Sequence, residues 1–344
     1  MIKQYIQEGF LLKNKGYYKR SIEAFYKALE IDNNCEELLL EIADLYYLMG
    51  NEERSIEYVE QILDKTPIHI GALKLLKCIF MNKRAYAEAE QTAKNIYCIS
   101  CDVQDQIAIF ELLIKQGKYE EIFEYKIDAA HPLVFYYMGL SKFKMGEYNE
   151  AEILTNMALD FDKKNSQIQL LKGEILLKKN KLEDCIELME KMDIVENDAP
   201  MQNWTGLVYQ LDGKYKKALG YFMNAIRLAP ANDEYYYNCA STYFKMGEIK
   251  LAKKYYNLAV SLNPNNQNYH FALANLYYSE KHYKRAMEEL NYDFFEARLL
   301  KSIILYDTGY VALAKKELNE LEKISPDNEL IKTYQTRIEE ELKI

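Results

Sequence analysis

Three carboxylates, Glu37, Glu41 and Asp44, recur at steps of four and three residues, which places them on one face of a helix. Like charges at this spacing cost an isolated helix roughly 0.2–0.5 kcal/mol per pair. A face of this kind attracts cations, and a basic peptide segment is the partner the charge suits. Groups able to do covalent or metal chemistry are not arranged for it. His69, His131, His270 and His282 share no metal-ligand spacing. Cys98 and Cys101 form a single CxxC, without the second pair of a zinc site or the βαβ context of a redox motif. No phosphate-binding glycine loop, nucleophile elbow or HExxH is present. No cofactor or metal is expected, and the chain reads as non-catalytic.

Composition narrows the partner class. The 344 residues carry a formal charge of −9, with 49% apolar and 28% charged side chains. Nucleic-acid binding is not expected, because it needs clustered Lys and Arg. Membrane insertion is not expected either, since no apolar run approaches the ~18 residues of a spanning helix. The start, MIKQYIQEGFLLKNKG, lacks the apolar stretch and cleavage site of an export signal. A cytoplasmic protein is expected, with its six cysteines reduced.

The elements that must position these residues repeat along the chain. A turn between two helices is expected at Gly16, Gly50, Arg84, Gly117, Gly146, Asn180, Gly213, Gly247, Lys281 and Gly309. The steps between them are 34, 34, 33, 29, 34, 33, 34, 34 and 28 residues. Gly9, Gly139, Gly173 and Gly206 each lie seven residues before such a turn, where two helices approach closely. All six prolines (67, 132, 200, 230, 264 and 326) fall between repeats, where a helix stops or starts. In the stretch 234–266, Tyr236, Cys239, Ala240 and Tyr243 line one face of a first helix. Gly247 breaks it, and Ala252, Tyr256 and Ala259 line the second.

This order of bulky, small, aromatic, Gly, Ala and Pro positions resembles the tetratricopeptide repeat. The resemblance implies an all-α fold: an α-solenoid of about ten helix-turn-helix repeats in a right-handed superhelix, with residues 329–344 as a C-terminal capping helix. Repeats one, two, seven and eight match best, and three, four and six are degenerate. The short steps after repeats four and nine divide the expected array into 1–131 (repeats one to four), 132–294 (repeats five to nine) and 295–344 (repeat ten and the cap). They would serve as bends or hinges. Repeat six is expected to end in a polar loop over 193–200.

By the same resemblance, the first helices line a concave groove through positions 2, 5, 6, 9, 12 and 13 of each repeat. Those slots hold Glu37, Glu41 and Asp44 near the N-terminus. Further along they hold Tyr136, Tyr137, Trp204, Tyr237, Asn238, Phe271 and Asn275. Trp204 is expected beside the core-facing slots. The family's carboxylate clamp lacks its basic residues here, because Asn268, Ala272, Glu296 and Leu300 occupy the relevant slots. The expected function is a protein-protein interaction scaffold that holds a partner segment in the groove. Its rivals are a structural subunit of a larger or self-associated assembly and a ligand-responsive receptor. The oligomeric state is left open.

Overall fold

The computed structural model describes residues 1–33, 35–127, 130–192 and 197–341, so positions 193–196 of the expected polar loop lie outside the described residues. The described residues form twenty α-helices and one short 3-10 segment, with no strand among them. Two compact units, residues 1–175 and 176–344, divide the chain inside the tenth helix.

The first unit contains α1 (Ile2–Asn14), α2 (Tyr18–Leu29), α3 (Glu36–Leu48), α4 (Glu52–Lys65), α5 (Ile70–Asn82) and α6 (Tyr86–Ser100). It continues with α7 (Val103–Gln116), the 3-10 segment Glu120–Glu124, α8 (Pro132–Lys144), α9 (Tyr148–Phe161) and most of α10 (Ser166–Lys178). The second holds α11 (Leu182–Lys191), α12 (Ala199–Leu211), α13 (Tyr215–Leu228), α14 (Asp233–Lys245) and α15 (Ile249–Leu262). After these come α16 (Gln267–Ser279), α17 (Tyr283–Glu289), α18 (Phe295–Asp307), α19 (Val311–Ile324) and α20 (Glu329–Glu341).

Every expected inter-helix turn has a residue in the left-handed region, with φ between 55° and 84°. The amide after it donates to the carbonyl five residues earlier, as in Tyr17 to Leu12 (2.9 Å), Lys118 to Leu113 (2.9 Å) and Tyr310 to Leu305 (2.8 Å). This Schellman closure satisfies carbonyls that the helix end would otherwise orphan. Seven of the ten positions are glycine, while Arg84, Asn180 and Lys281 carry a Cβ in a conformation that disfavours it. Replacing Arg84 or Lys281 by Gly should therefore raise stability by about 0.5–1 kcal/mol each. A denaturation midpoint that falls would contradict this.

Close approach also follows the small residues. A Cβ on Gly9 would lie 2.4 Å from the Phe25 ring, and one on Gly206 would lie 2.6 Å from Phe222. Ala28, Ala43, Ala151, Ala218, Ala240, Ala252 and Ala259 are fully buried between helices. Polar tethers recur with the same geometry: Ser21 Oγ donates to the Gly9 carbonyl and Ser55 Oγ to that of Ala43, both at 2.7 Å. In the second unit, α20 buries Ile331, Tyr334 and Ile338 against α18 and α19 and closes the stack, the expected role of a cap.

Repeat four departs furthest from the pattern. A shortened second helix is expected there, and the five-residue 3-10 segment takes its place. Phe110 stands where Gly9, Ala43, Gly139, Gly206 and Ala240 stand in other repeats. It is fully buried and packs edge-on against Tyr125, with centroids 5.6 Å apart. Beyond it, Ile153, Met157 and Phe161 on α9 are exposed at steps of four residues, forming an apolar stripe. In repeat nine, α17 stops after seven residues.

Candidate partner-binding surface

The acidic face of α3 does not stand alone. Lys13, from the preceding repeat, reaches Glu41 Oε2 (2.6 Å) and Asp44 Oδ2 (2.7 Å). Burial opposes the charge on Lys13, but hydrogen bonds to the two carboxylates prevail and hold its pKa above the usual lysine value. Only Glu37 remains fully open, with Cys35 Sγ donating to it at 3.3 Å. The charge expected to meet a partner is thus largely met within the chain. Lys13 sits in a groove-facing slot of repeat one, which is the signal that could have found it.

Tyr136 and Tyr137 are half-buried on α8 and pack edge-on at 5.1 Å. Burial, then the Glu111 charge, pushes the Tyr137 hydroxyl up to about 12, so it is a neutral donor at physiological pH.

Trp204 corrects the expectation of a residue beside the core. It is only 2% exposed. Its helix, α12, is drawn against α14 by buried amides. Asn238 Nδ2 donates to Asn203 Oδ1 at 2.9 Å, and Gln210 Nε2 donates to Thr242 Oγ1 at 2.7 Å. These cross-repeat bonds pull the inner face of α12 out of solvent, and the indole goes with it. Asn275 is also occupied, donating to the Phe271 carbonyl one turn back at 3.0 Å.

Three of the expected residues do meet in one place. Tyr237, Asn238 and Phe271 line a pocket of about 630 Å³ on the inner helices α14, α16 and α18. Two aromatic pairs form its walls: Tyr237 stacks on Tyr269 at 5.0 Å, and Phe271 meets Phe294 edge-on at 5.5 Å. Asp233 Oδ2 braces it by accepting from Tyr269 Oη (2.8 Å) and Asn263 Nδ2 (3.0 Å). Burial alone would raise the Asp233 carboxyl, but these bonds outweigh it and hold it below the usual range. Asn266 caps α16, and Asn268 follows on its first turn. Glu234 and Glu296 complete the rim, both exposed, on the first turns of α14 and α18. Sequence reasoning did not select these two, although they occupy the second slot of repeats eight and ten.

Other side chains with possible chemistry serve the fold. His69 and His131 cap α5 and α8, each accepting a backbone amide on Nδ1. His270 bridges Glu289 (2.7 Å) and the Pro264 carbonyl (2.9 Å). Cys185 and Cys239 are buried, whereas Cys98 and Cys101 are exposed. Among the described residues no His, Cys, Asp and Glu cluster is placed to hold a metal ion, and no helix is long and apolar enough to cross a membrane.

The architecture is therefore that of an all-α solenoid built from helix-turn-helix repeats. The tetratricopeptide repeat model matches residues 4–35, 36–67 and 233–266, and the Fis1 C-terminal tetratricopeptide repeat model matches 134–181. These matched segments identify the chain as a tetratricopeptide repeat protein.

It is 30% identical over 89 residues to Photosystem I assembly protein Ycf3 of Synechococcus sp., covering 25% of this chain and 51% of that one. It is 21% identical over 268 residues to Pre-mRNA-splicing factor 6 of Saccharomyces cerevisiae, covering 71% of this chain and 29% of that one. The chain thus spans about half or less of the length of these relatives. Among solved structures, it superposes on the APC/C hetero-tetramer Cut9-Hcn1 with a TM-score of 0.63 at 11% identity, covering 98% of this chain and 76% of that chain. Pseudomonas aeruginosa pilF gives a TM-score of 0.51 at 17% identity, covering 64% and 99%. At such identities the structural likeness concerns the fold.

Proposed function

We propose that the protein is a non-catalytic interaction scaffold that holds a segment of a protein partner against the inner helices α14, α16 and α18. The observation that carries this reading is the aromatic-walled pocket, because it gathers Tyr237 and Phe271 from successive repeats around one opening, with Asn238 buried beside them. Half-buried aromatics rimmed by polar groups are the usual anchors of an interface. Two of the similar proteins are named for assembly or splicing, which fits a role in bringing other proteins together. In the first unit, Glu37, Tyr136 and Tyr137 are proposed as contacts of their own, with Glu41 and Asp44 reduced by Lys13. Trp204 is retained as a support behind Asn203, not as a contact.

The test is selection of random ten-residue peptides displayed against the full chain, followed by affinity measurement on the Tyr237→Ala/Phe271→Ala double variant. Selected peptides should lose tenfold or more in affinity, about 1.4 kcal/mol, with the helical circular dichroism unchanged. Peptides that bind both proteins equally would move the binding surface elsewhere.

A further inference from the structure

We infer that the pocket on α14, α16 and α18 takes the ammonium or guanidinium group of a basic side chain, so that the partner segment carries Lys or Arg at the position seated there. The inference rests on the scaffold reading and specifies its chemistry. Glu234 and Glu296 both line the pocket, stand exposed, and form no ion pair among the described residues. This distinguishes them from Glu41 and Asp44, which Lys13 already engages.

The helix ends point the other way and have to be weighed. Three helix N-termini open toward the pocket, each worth about half a positive charge. Against roughly 1.5 positive charges stand three carboxylates, those of Asp233, Glu234 and Glu296. The balance is negative, and no Lys or Arg lines the cavity. Two other concavities have the opposite character: one of about 780 Å³ is lined by Lys19 and Arg20, and one of about 810 Å³ by Lys217 and Arg227.

The walls suit the same ligand. Tyr237 and Phe271 line the cavity, and a cation over an aromatic face is attracted by the ring quadrupole. A long basic side chain also lays its methylenes against the rings while its charged head reaches Glu234 or Glu296. An acidic segment would meet repulsion from both glutamates, and an aliphatic one would leave two carboxylates facing it without a partner.

The random ten-residue library supplies the probes. Peptides selected against the full chain should be enriched in Arg or Lys. Resynthesis with citrulline for Arg and norleucine for Lys should weaken binding roughly tenfold. The Glu234→Gln/Glu296→Gln variant should show a similar loss. The Glu339→Gln/Glu340→Gln variant, which removes the same charge from the exposed face of α20, should change affinity by no more than about twofold. Binders without basic residues, or binders indifferent to Glu234→Gln/Glu296→Gln yet weakened by Tyr237→Ala/Phe271→Ala, would overturn the inference while leaving the scaffold reading in place. A saturating library that yields no binders would count against both.

Discussion

Replacing Glu90 by Gln should lower the stability of the first unit by about 3 kcal/mol at neutral pH, and the loss should shrink on acidification. Glu90 is a carboxylate only 4% exposed on α6. Lys94 lies 2.5 Å from one oxygen, while Lys118 (2.7 Å) and the Gln116 amide (2.8 Å) share the other. Burial alone would raise its pKa. The hydrogen bonds from Lys118, Lys94 and Gln116 overcome that and bring it from 4.5 to about 2. A folded pKa below the unfolded one means that the contribution is complete above about 4.5 and is lost as pH falls through about 2. By pH 3 the difference between wild type and Glu90→Gln should be roughly half its neutral value. The position explains why so much rests on one side chain. Gln116 and Lys118 flank the turn of repeat four, so Glu90 ties α6 to the end of α7 just ahead of the 3-10 segment that stands in place of a second helix. Urea unfolding at a series of pH values checks this. An equal deficit at pH 3 and pH 7 would show that Glu90 acts by shape and not by charge.

The second large effect separates two glycines. Gly206→Ala should destabilise the second unit by about 1–3 kcal/mol, because the added methyl meets the fully buried Phe222 ring at 2.6 Å. Gly220→Ala, on the adjoining α13, meets nothing within 4 Å and should stabilise by about 0.5–1 kcal/mol through helix propensity alone. Adding Phe222→Leu should recover part of the Gly206→Ala loss by giving the methyl room. Thermal and urea midpoints of the single and double variants decide the matter. Loss of stability from Gly220→Ala, or none from Gly206→Ala, would contradict the packing described.

These contrasts mark where sequence was informative. The inter-helix turns were legible to the residue because a left-handed backbone leaves a glycine at seven of them, and the repeat spacing locates Arg84, Asn180 and Lys281. Gly9, Gly139 and Gly206 were legible for a similar reason, since close approach excludes a side chain. Repeat four was less so. YEEIFEYK has a helical pattern of apolar residues, but it forms a 3-10 turn whose following residue, Tyr125, packs on the Phe110 ring.

The site was legible in part. The slots of Tyr237, Asn238 and Phe271 bring these three residues to one pocket. What a single-repeat pattern does not encode is how side chains pair between repeats. The Lys13 ion pairs and the Asn203–Asn238 and Gln210–Thr242 bonds all join neighbouring repeats. Those pairings decide which acids stay open and whether Trp204 faces solvent.

The central claim is that a partner segment lies on α14, α16 and α18. Hydroxyl-radical footprinting of the full chain with a selected peptide tests it most directly. The peptide should protect Tyr237, Phe271 and Phe294 and leave Met157 and Phe161 of the α9 stripe as reactive as before. Protection of Met157 and Phe161, with Tyr237, Phe271 and Phe294 unchanged, would contradict it and place recognition on the α9 stripe.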